Sequence, residues 1–504
     1  MPTTHPEPPS ITQVRTIKNY VDGRWAAPSC DRVLDVINPA DQTVLARVPL
    51  SGPDDLEQAV RAARAAFPAW RSRSTIERAR WLFSLRQALV DKRDALARLV
   101  VLEMGKTLAD AGAEVDRMIE MVQAATAVPT TMQGRVLENV ATNVDCETIR
   151  QPVGVCAAIV PFNFPAMVPF WFLPFAVATG NTFVLKPSEQ VPLTQNRVFE
   201  IIDQLGLPPG VVNLVNGDAE VANAILESPG IDAVSFVGSA PVARHVYATA
   251  AAHGKRVQAL GGAKNHMVVM PDAVIDRTVE GIMSSAFGAA GQRCMAGSVL
   301  VTVADAGAAL LPPLVAATAQ LRVGDGLDPD VAVGPVISCQ ARERIERAIE
   351  AALVEGAELA LDGRRSSEDP GAFVGPTILT GVRPGMDVVA QEVFGPVLAI
   401  IAAADLAEAI EIVNASPYGN GTSIFTESAA AVRRYRHDVE AGMVGVNIGV
   451  AAPVAFFPFS GWKASFFGDL HAHGTDAVDF YTRKKTITSR FFSEQTNATL
   501  FGEH

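Results

Sequence analysis

The side chain best suited to covalent chemistry is Cys294, in the glycine-flanked segment GAAGQRCMAG. A cysteine attacks as a thiolate, and a neighbouring cation such as Arg293, or nearby backbone N–H groups, can lower the thiol pKa. Most isolated cysteines are small buried apolar residues instead. Cys294 is therefore a candidate nucleophile, and its assignment depends on what other segments place beside it.

Asn163, in the segment PFNFP, could supply a partner for such a nucleophile. It follows a predicted strand at 154–160, and open α/β sheets bind ligands at the carboxyl ends of their strands. A side-chain amide there can donate a hydrogen bond to an oxyanion that develops on a substrate. The alternative is an asparagine that caps the next helix.

Three further segments place candidate binding groups after predicted strands. They are VLKPSE with Lys186 and Glu189, SFVGSAPVARHV with Gly238 and Ser239, and EVFGPV with Glu392 and Phe394. The ammonium and carboxylate of the first can hold ribose hydroxyls, although they could equally form an ion pair. The second combines a glycine with a helix N-terminus, which offers free N–H groups to a phosphate, but it is not a GxGxxG fingerprint. The third, taken alone, is only a turn that leads into a strand.

The elements that position these residues follow from periodicity. Residues 53–125 have the spacing of amphipathic helices, and strands alternate with helices after residue 150. This alternation predicts an α/β fold with a doubly wound parallel sheet that binds a cofactor, and a second α/β run after residue 261. Two outlying segments, 137–151 and 478–492, have the alternation of strands. They could pair with another subunit or form a local hairpin.

The predicted domains follow from the same pattern. Residues 1–129 and 152–260 form the cofactor domain, 261–455 the catalytic domain, and 130–151 with 478–504 an oligomerisation arm.

Composition excludes several classes of protein. The 504 residues carry 42 basic and 54 acidic side chains, a net charge of −12, which argues against a nucleic-acid binder. The apolar stretch after residue 150 is interrupted by prolines and asparagines, so a membrane span is rejected. Five scattered cysteines predict no disulfide scaffold and no metal site, and fit a reducing, cytoplasmic compartment. No secretory signal is recognised.

Taken in order, the chemical segments resemble the aldehyde dehydrogenase superfamily over roughly residues 18–492. The resemblance implies that Cys294 is the nucleophile and Asn163 the oxyanion-hole amide. It implies NAD as cofactor, and Glu189 favours NAD over NADP because a carboxylate repels a 2′-phosphate. The cofactor-binding residues it implies are Phe162, Lys186, Glu189, Gly238, Ser239, Glu392 and Phe394. Family habit also implies a homo-oligomer, either a dimer or a tetramer.

One departure from the family pattern concerns the fate of the acyl group. Hydrolytic members have a glutamate directly before Leu-Gly-Gly, whereas QALGGAKNH has Ala259 there. Loss of a general base removes roughly 10²–10⁴-fold of rate for attack by water. With GQRCMAG and FFPFSGWKASFFGDLHAHG, the pattern resembles the coenzyme A-acylating methylmalonate-semialdehyde dehydrogenase branch. That branch implies oxidation, decarboxylation and transfer to coenzyme A, giving propanoyl-CoA or acetyl-CoA. The alternative is a hydrolytic enzyme in which another group activates water.

Two arginines match residues associated with substrate carboxylate binding in that branch. They are Arg293 and Arg117, and the planar guanidinium suits a carboxylate because it can bind both oxygens. Arg117 could instead be a surface charge paired with Glu114 or Glu120. We expect both arginines, with Lys186, to form a positive region within an acidic chain.

Overall fold

The computed structural model describes residues 14–365 and 370–492, so the first and last stretches of the predicted domains lie outside the described residues. Its first sheet has eight strands, of which five central ones are parallel. In spatial order they are Arg24–Ala26, Asn19–Val21, Val212–Leu214, Thr182–Lys186, Val155–Ile159, Ala233–Val237, Arg256–Leu260 and Phe466–Phe467. The parallel strands are buried almost throughout because helices cover both faces. The predicted doubly wound sheet is confirmed.

Helices surround this sheet. They are Pro53–Ser72, Thr75–Asp91, Arg93–Met104, Leu108–Ala125, Val128–Thr131, Met167–Phe170, Leu173–Ala178, Leu193–Asp203, Ala219–Glu227 and Ala240–Ala252. The helical region predicted at 53–125 is confirmed. The residue pattern after the strand at 154–160 predicts a single helix over 166–179, and this prediction is wrong, since two short helices occupy the segment. Pro174 has no N–H to donate to the carbonyl of Phe170, which interrupts the helical ladder.

A second sheet has seven strands, and the segment with Cys294 leads into its central strand, Gly297–Val303. Its strands, in spatial order, are Glu358–Leu361, Thr377–Thr380, Val397–Ala403, Gly297–Val303, Asn265–Val269, Gly421–Phe425 and Met443–Val446. All pairs are parallel except the first. The accompanying helices are Ile275–Phe287, Gly288–Gly291 (3₁₀), Ala306–Thr318, Cys339–Val354, Asp387–Ala390, Leu406–Asn414 and Ala429–Asp438. The short helix Gly474–Phe480 packs instead against Leu173–Ala178, beside the first sheet. The predicted second α/β unit is confirmed.

The two outlying segments meet in a third sheet. Strands Arg135–Ala141 and Val144–Pro152 form a hairpin, and Thr482–Arg490 pairs antiparallel with its second strand. Two short ladders complete the fold: Val33–Ile37 with Val44–Pro49, and Tyr418–Gly419 with Trp462–Lys463. Within the described ranges no helix combines the length and apolarity needed to cross a bilayer.

Candidate active site

The candidate site lies at the strand of the first sheet from which successive strands of the chain are added first on one side and then on the other. Strand Val155–Ile159 has the next strand of the chain on one side and Ala233–Val237 on the other, with Ile159 opposite both Lys186 and Phe236. The carboxyl ends of all three strands therefore meet at one edge, which is where doubly wound sheets bind ligands. This topology brings the segments of Asn163, Lys186 and Gly238 together, as their positions after predicted strands suggested.

A cavity of about 260 Å³ opens at this edge. Its lining includes Phe162, Asn163, Gly238, Ser239, Cys294, Glu392 and Phe394, seven of the predicted site residues. The rings of Phe162 and Phe394 pack edge-to-face with centroids 5.8 Å apart. The Glu392 Oε1 atom accepts a hydrogen bond from the backbone N–H of Ala263 at 3.0 Å. Burial raises the pKa of the Glu392 carboxyl, and this hydrogen bond offsets part of the effect.

One wall of this cavity is a helix N-terminus. Ser239 is the N-cap of the 13-residue helix Ala240–Ala252, and its side chain makes no capping hydrogen bond. The first backbone N–H groups of that helix are therefore uncapped by this side chain, and such groups favour a phosphate. Ala243 is fully buried in this helix.

Lys186 and Glu189 are not among the lining residues of this cavity. The Lys186 Nζ atom donates to Glu189 Oε2 at 2.9 Å, and only 5% of the lysine side chain is exposed. The ion pair considered from the sequence is thus formed, at the carboxyl end of the strand next to the cavity.

Cys294 lies in a loop with unusual backbone geometry. Ala289 and Ala290 both adopt left-handed conformations, with φ of 50° and 52°. The Cys294 carbonyl accepts hydrogen bonds from the side-chain amides of Asn265 at 2.8 Å and Asn420 at 2.9 Å. These two asparagines fix the loop after the nucleophile. Neither asparagine is marked in the sequence, because a hydrogen bond to a carbonyl far along the chain leaves no local pattern.

The thiol of Cys294 is hard to ionise. Burial, and to a smaller extent the nearby Glu392 carboxylate, together raise its pKa to about 12, although the backbone N–H groups of Cys294 and Met295 act in the opposite direction. Arg293 lowers the pKa, as a neighbouring cation can, but it is the smallest of these influences. The physical reason is that burial disfavours the charged thiolate more than the guanidinium of Arg293, which is also paired with Asp110, favours it.

Asn163 is buried, with 5% of its surface exposed. Its Nδ2 atom donates to the carbonyl of Gln292, two residues before the nucleophile, at 3.0 Å. An amide nitrogen carries two N–H donors, so one remains for a substrate. The alternative, in which Asn163 caps the next helix, does not apply, because the helix Met167–Phe170 has Ala166 as its N-cap.

A second cavity, of about 320 Å³, lies on the other side of the thiol. Its lining includes Cys294, Arg117, Arg293, Trp171, Phe459 and His473. The guanidinium of Arg117 donates to Glu120 at 2.7 Å, and that of Arg293 to Asp110 at 2.5 Å. Both predicted arginines thus face the nucleophile's cavity, and each is already paired with a carboxylate.

His473 also lines this cavity, although no motif in the sequence predicts a role for it. Its Nδ1 lies 2.7 Å from the Phe457 carbonyl, which can only accept, so Nδ1 carries the proton. Burial, with a smaller contribution from the nearby Arg117, lowers the pKa of His473 to about 4. The ring is therefore neutral, and it makes edge-to-face contacts with both Trp171 and Phe459.

Ala259 is fully buried in the apolar cluster that contains Ala243 and Val246 of the adjacent helix. Among the described lining residues of the two cavities, the carboxylates are Glu392, Asp110 and Glu114. Asp110 and Glu114 are engaged by a guanidinium, an ammonium and backbone N–H groups.

Comparison with known proteins places this geometry in context. The sequence model described as "Aldehyde dehydrogenase family" matches residues 25–487. A protein of Geobacillus kaustophilus, malonate-semialdehyde dehydrogenase 3, is 52% identical over 95% of this chain and its own full length.

Two solved structures are similar throughout. One is a putative methylmalonate-semialdehyde dehydrogenase of Sinorhizobium meliloti complexed with NAD, with a TM-score of 0.94 and 41% identity over 96% of this chain and 99% of that one. The other is the methylmalonate-semialdehyde dehydrogenase DddC of Oceanimonas doudoroffii, with a TM-score of 0.94 and 43% identity over 96% of this chain and 100% of that one. With this likeness along nearly its whole length, the chain belongs to the aldehyde dehydrogenase family.

Proposed function

We propose that this enzyme oxidises malonate semialdehyde and methylmalonate semialdehyde with NAD, and transfers the decarboxylated acyl group to coenzyme A. The observation that carries the proposal is the position of Cys294. Its side chain lines both cavities, one with two arginines and the other with a helix N-terminus and a carboxylate. A carboxylate-bearing aldehyde and a dinucleotide could thus meet at one thiol.

The residues of the first cavity fit NAD. Uncapped N–H groups at Ser239 suit the pyrophosphate, and Glu392 suits the hydroxyls of the nicotinamide ribose. Lys186 and Glu189 would hold the adenosine ribose from the neighbouring strand end. Bound NAD would supply the acceptor for the hydride that leaves the substrate carbon.

The chain's own groups then account for the chemistry. The Cys294 thiolate adds to the aldehyde carbon, and the resulting oxyanion is held by the Asn163 amide and the Cys294 N–H. Loss of hydride from that carbon leaves a thioester on Cys294. Arg117 and Arg293 would orient the substrate carboxylate so that the carbonyl group faces the thiol.

Decarboxylation follows from the position of the carboxylate, which is β to the thioester carbonyl. The C–C bond breaks to release CO₂, and its electron pair becomes an enolate held by the same donors, which then takes a proton from solvent at carbon. The thiolate of coenzyme A attacks the thioester and releases Cys294, giving acetyl-CoA or propanoyl-CoA. Ala259 cannot accept a proton, which favours coenzyme A over water.

The test is NADH formation with each semialdehyde, with and without coenzyme A, together with product analysis. We expect sustained turnover only with coenzyme A, release of CO₂, and no turnover by Cys294→Ser. Free propanoate formed at the full rate without coenzyme A would refute the acyl-transfer step.

A second candidate is a hydrolytic aldehyde dehydrogenase that acts on another carboxylate-bearing aldehyde. The observation that favours it is Glu392, a buried carboxylate close enough to raise the pKa of Cys294. If Glu392 activated water, turnover without coenzyme A would be fast and would be lost in Glu392→Gln.

We also propose that the chain forms a homo-oligomer through its three-stranded sheet. The outer strand exposes Val136 (69%), Leu137 (64%) and Val140 (46%) beside an edge that pairs with no other strand among the described residues. Light scattering should give a dimer or tetramer for the wild-type protein and a smaller species for Leu137→Lys. A wild-type monomer would contradict the proposal.

A further inference from the structure

A fully buried ion pair lies directly behind the candidate oxyanion site. Lys106 and Glu114 are 2.6 Å apart, and neither side chain is exposed to solvent. Lys106 follows the helix Arg93–Met104, and Glu114 lies in the next helix, Leu108–Ala125. Desolvation makes such a pair expensive, and replacing it with apolar residues is often neutral or stabilising. Its contacts indicate a reason for its presence other than stability.

Both members of the pair hold the turn that follows strand Val155–Ile159. The Lys106 Nζ atom donates to the backbone carbonyl of Asn163 at 2.7 Å and lies 4.0 Å from the centroid of the Phe164 ring. The Glu114 Oε1 atom accepts from the backbone N–H of Ala166 at 2.7 Å and of Met167 at 3.2 Å. The pair therefore fixes the main chain at both ends of residues 163–167.

Fixing the main chain of Asn163 also fixes the direction of its side chain. On the side away from Lys106, the Asn163 amide donates to the Gln292 carbonyl at 3.0 Å and lines the cavity of Cys294. An amide that stabilises an oxyanion must lie within a few tenths of an ångström of its place, and a displacement near 1 Å can cost about 100-fold in rate. A flexible turn would lose that precision.

We propose that Lys106 and Glu114 are positioning residues, which hold the Asn163 amide where the oxyanion forms. The inference rests on the proposed role of Asn163 and not on the identity of the aldehyde. It should therefore hold for a simple aldehyde such as propanal as well as for malonate semialdehyde.

The test compares Lys106→Met with Lys255→Met in the full-length enzyme. Lys255 is a matched control, since it too is buried (7% exposed) and its Nζ donates to main-chain carbonyls, in this case those of Ser228 and Ile231. It precedes strand Arg256–Leu260, at the edge of the sheet opposite the site. We expect kcat for propanal to fall about 10- to 100-fold in Lys106→Met, with the Kd for NAD unchanged, and to stay near wild type in Lys255→Met.

A double-mutant comparison separates positioning from general destabilisation. In an Asn163→Ala background no amide remains to be positioned, so adding Lys106→Met should cost less than threefold more. Wild-type kcat in Lys106→Met, or a full further loss in the double variant, would overturn the inference. If Lys106→Met does not fold, Glu114→Gln replaces it and should show the same loss of kcat and the same non-additivity. Failure of the proposed function would look different, because the wild-type enzyme would then oxidise propanal but not malonate semialdehyde.

Discussion

In the ligand-free enzyme, we expect the reactivity of Cys294 toward iodoacetamide to rise steadily with pH. Only the thiolate reacts, and a pKa of about 12 leaves a thiolate fraction of about 10⁻⁴ at pH 8. An unperturbed thiol would be about one-fifth ionised at that pH, so Cys294 should react on the order of 10³-fold more slowly. Between pH 7 and 10 its rate should increase about tenfold per pH unit.

The assay is mass spectrometry of the peptide that contains Cys294 after timed alkylation, with the exposed Cys339 as an internal reference. Glu392→Gln tests the cause of the perturbation, since the amide oxygen can still accept from Ala263 while the negative charge is gone. Because burial is the larger cause, the variant should react only several-fold faster at pH 8. A rate that levels off below pH 9 in the wild-type enzyme, or a slower Glu392→Gln variant, would refute this account of the thiol.

Three further substitutions test the walls of the site. Arg117→Ala should raise the KM for malonate semialdehyde about 10- to 100-fold, the value of a hydrogen bond between charged groups, and leave that for propanal unchanged. Arg277→Ala is the control: it removes an ion pair of the same i,i+3 type from an exposed helix and should change neither KM. Equal rises in KM for both aldehydes in Arg117→Ala would contradict carboxylate binding. Gly262→Ala would place a methyl group 2.5 Å from the Glu392 Oε2 atom, so the Kd for NAD measured by calorimetry should rise, and an unchanged Kd would show that the carboxylate is not needed there. Asp110→Asn removes the negative charge beside Arg293, so the KM for malonate semialdehyde should fall about threefold. A rise in KM would mean that Asp110 is needed to hold Arg293 in place.

The general location of the site follows from the sequence because parallel sheets obey simple rules. Alternating strands and helices predict a doubly wound sheet, and residues directly after its strands must lie at one edge. Asn163 and Gly238 come together for that reason, from segments 75 residues apart. The same rules say nothing about which side chains then bond to each other.

Contacts between distant residues account for most of what the sequence did not reveal. Lys106 and Asn163 are separated by 57 residues, and Asn420 is 126 residues from Cys294. A lysine that follows a helix is usually exposed to solvent, so nothing in the local sequence predicts that Lys106 is buried. The pKa of Cys294 is a similar case, since the neighbouring arginine is visible in the sequence but the enclosure of the thiol is not.

The three cations expected at the candidate site do not offset the net charge of −12 there. Each cation expected to attract an anionic ligand has a carboxylate partner: Lys186 with Glu189, Arg117 with Glu120, and Arg293 with Asp110. These three cations therefore do not form the region of excess positive charge that the sequence predicts, because each is balanced by its carboxylate. A guanidinium has five N–H donors, so each arginine keeps donors for a substrate while its charge is balanced. Recognition of a carboxylate must then depend on the direction of hydrogen bonds at short range, which suits a chain whose overall field repels anions.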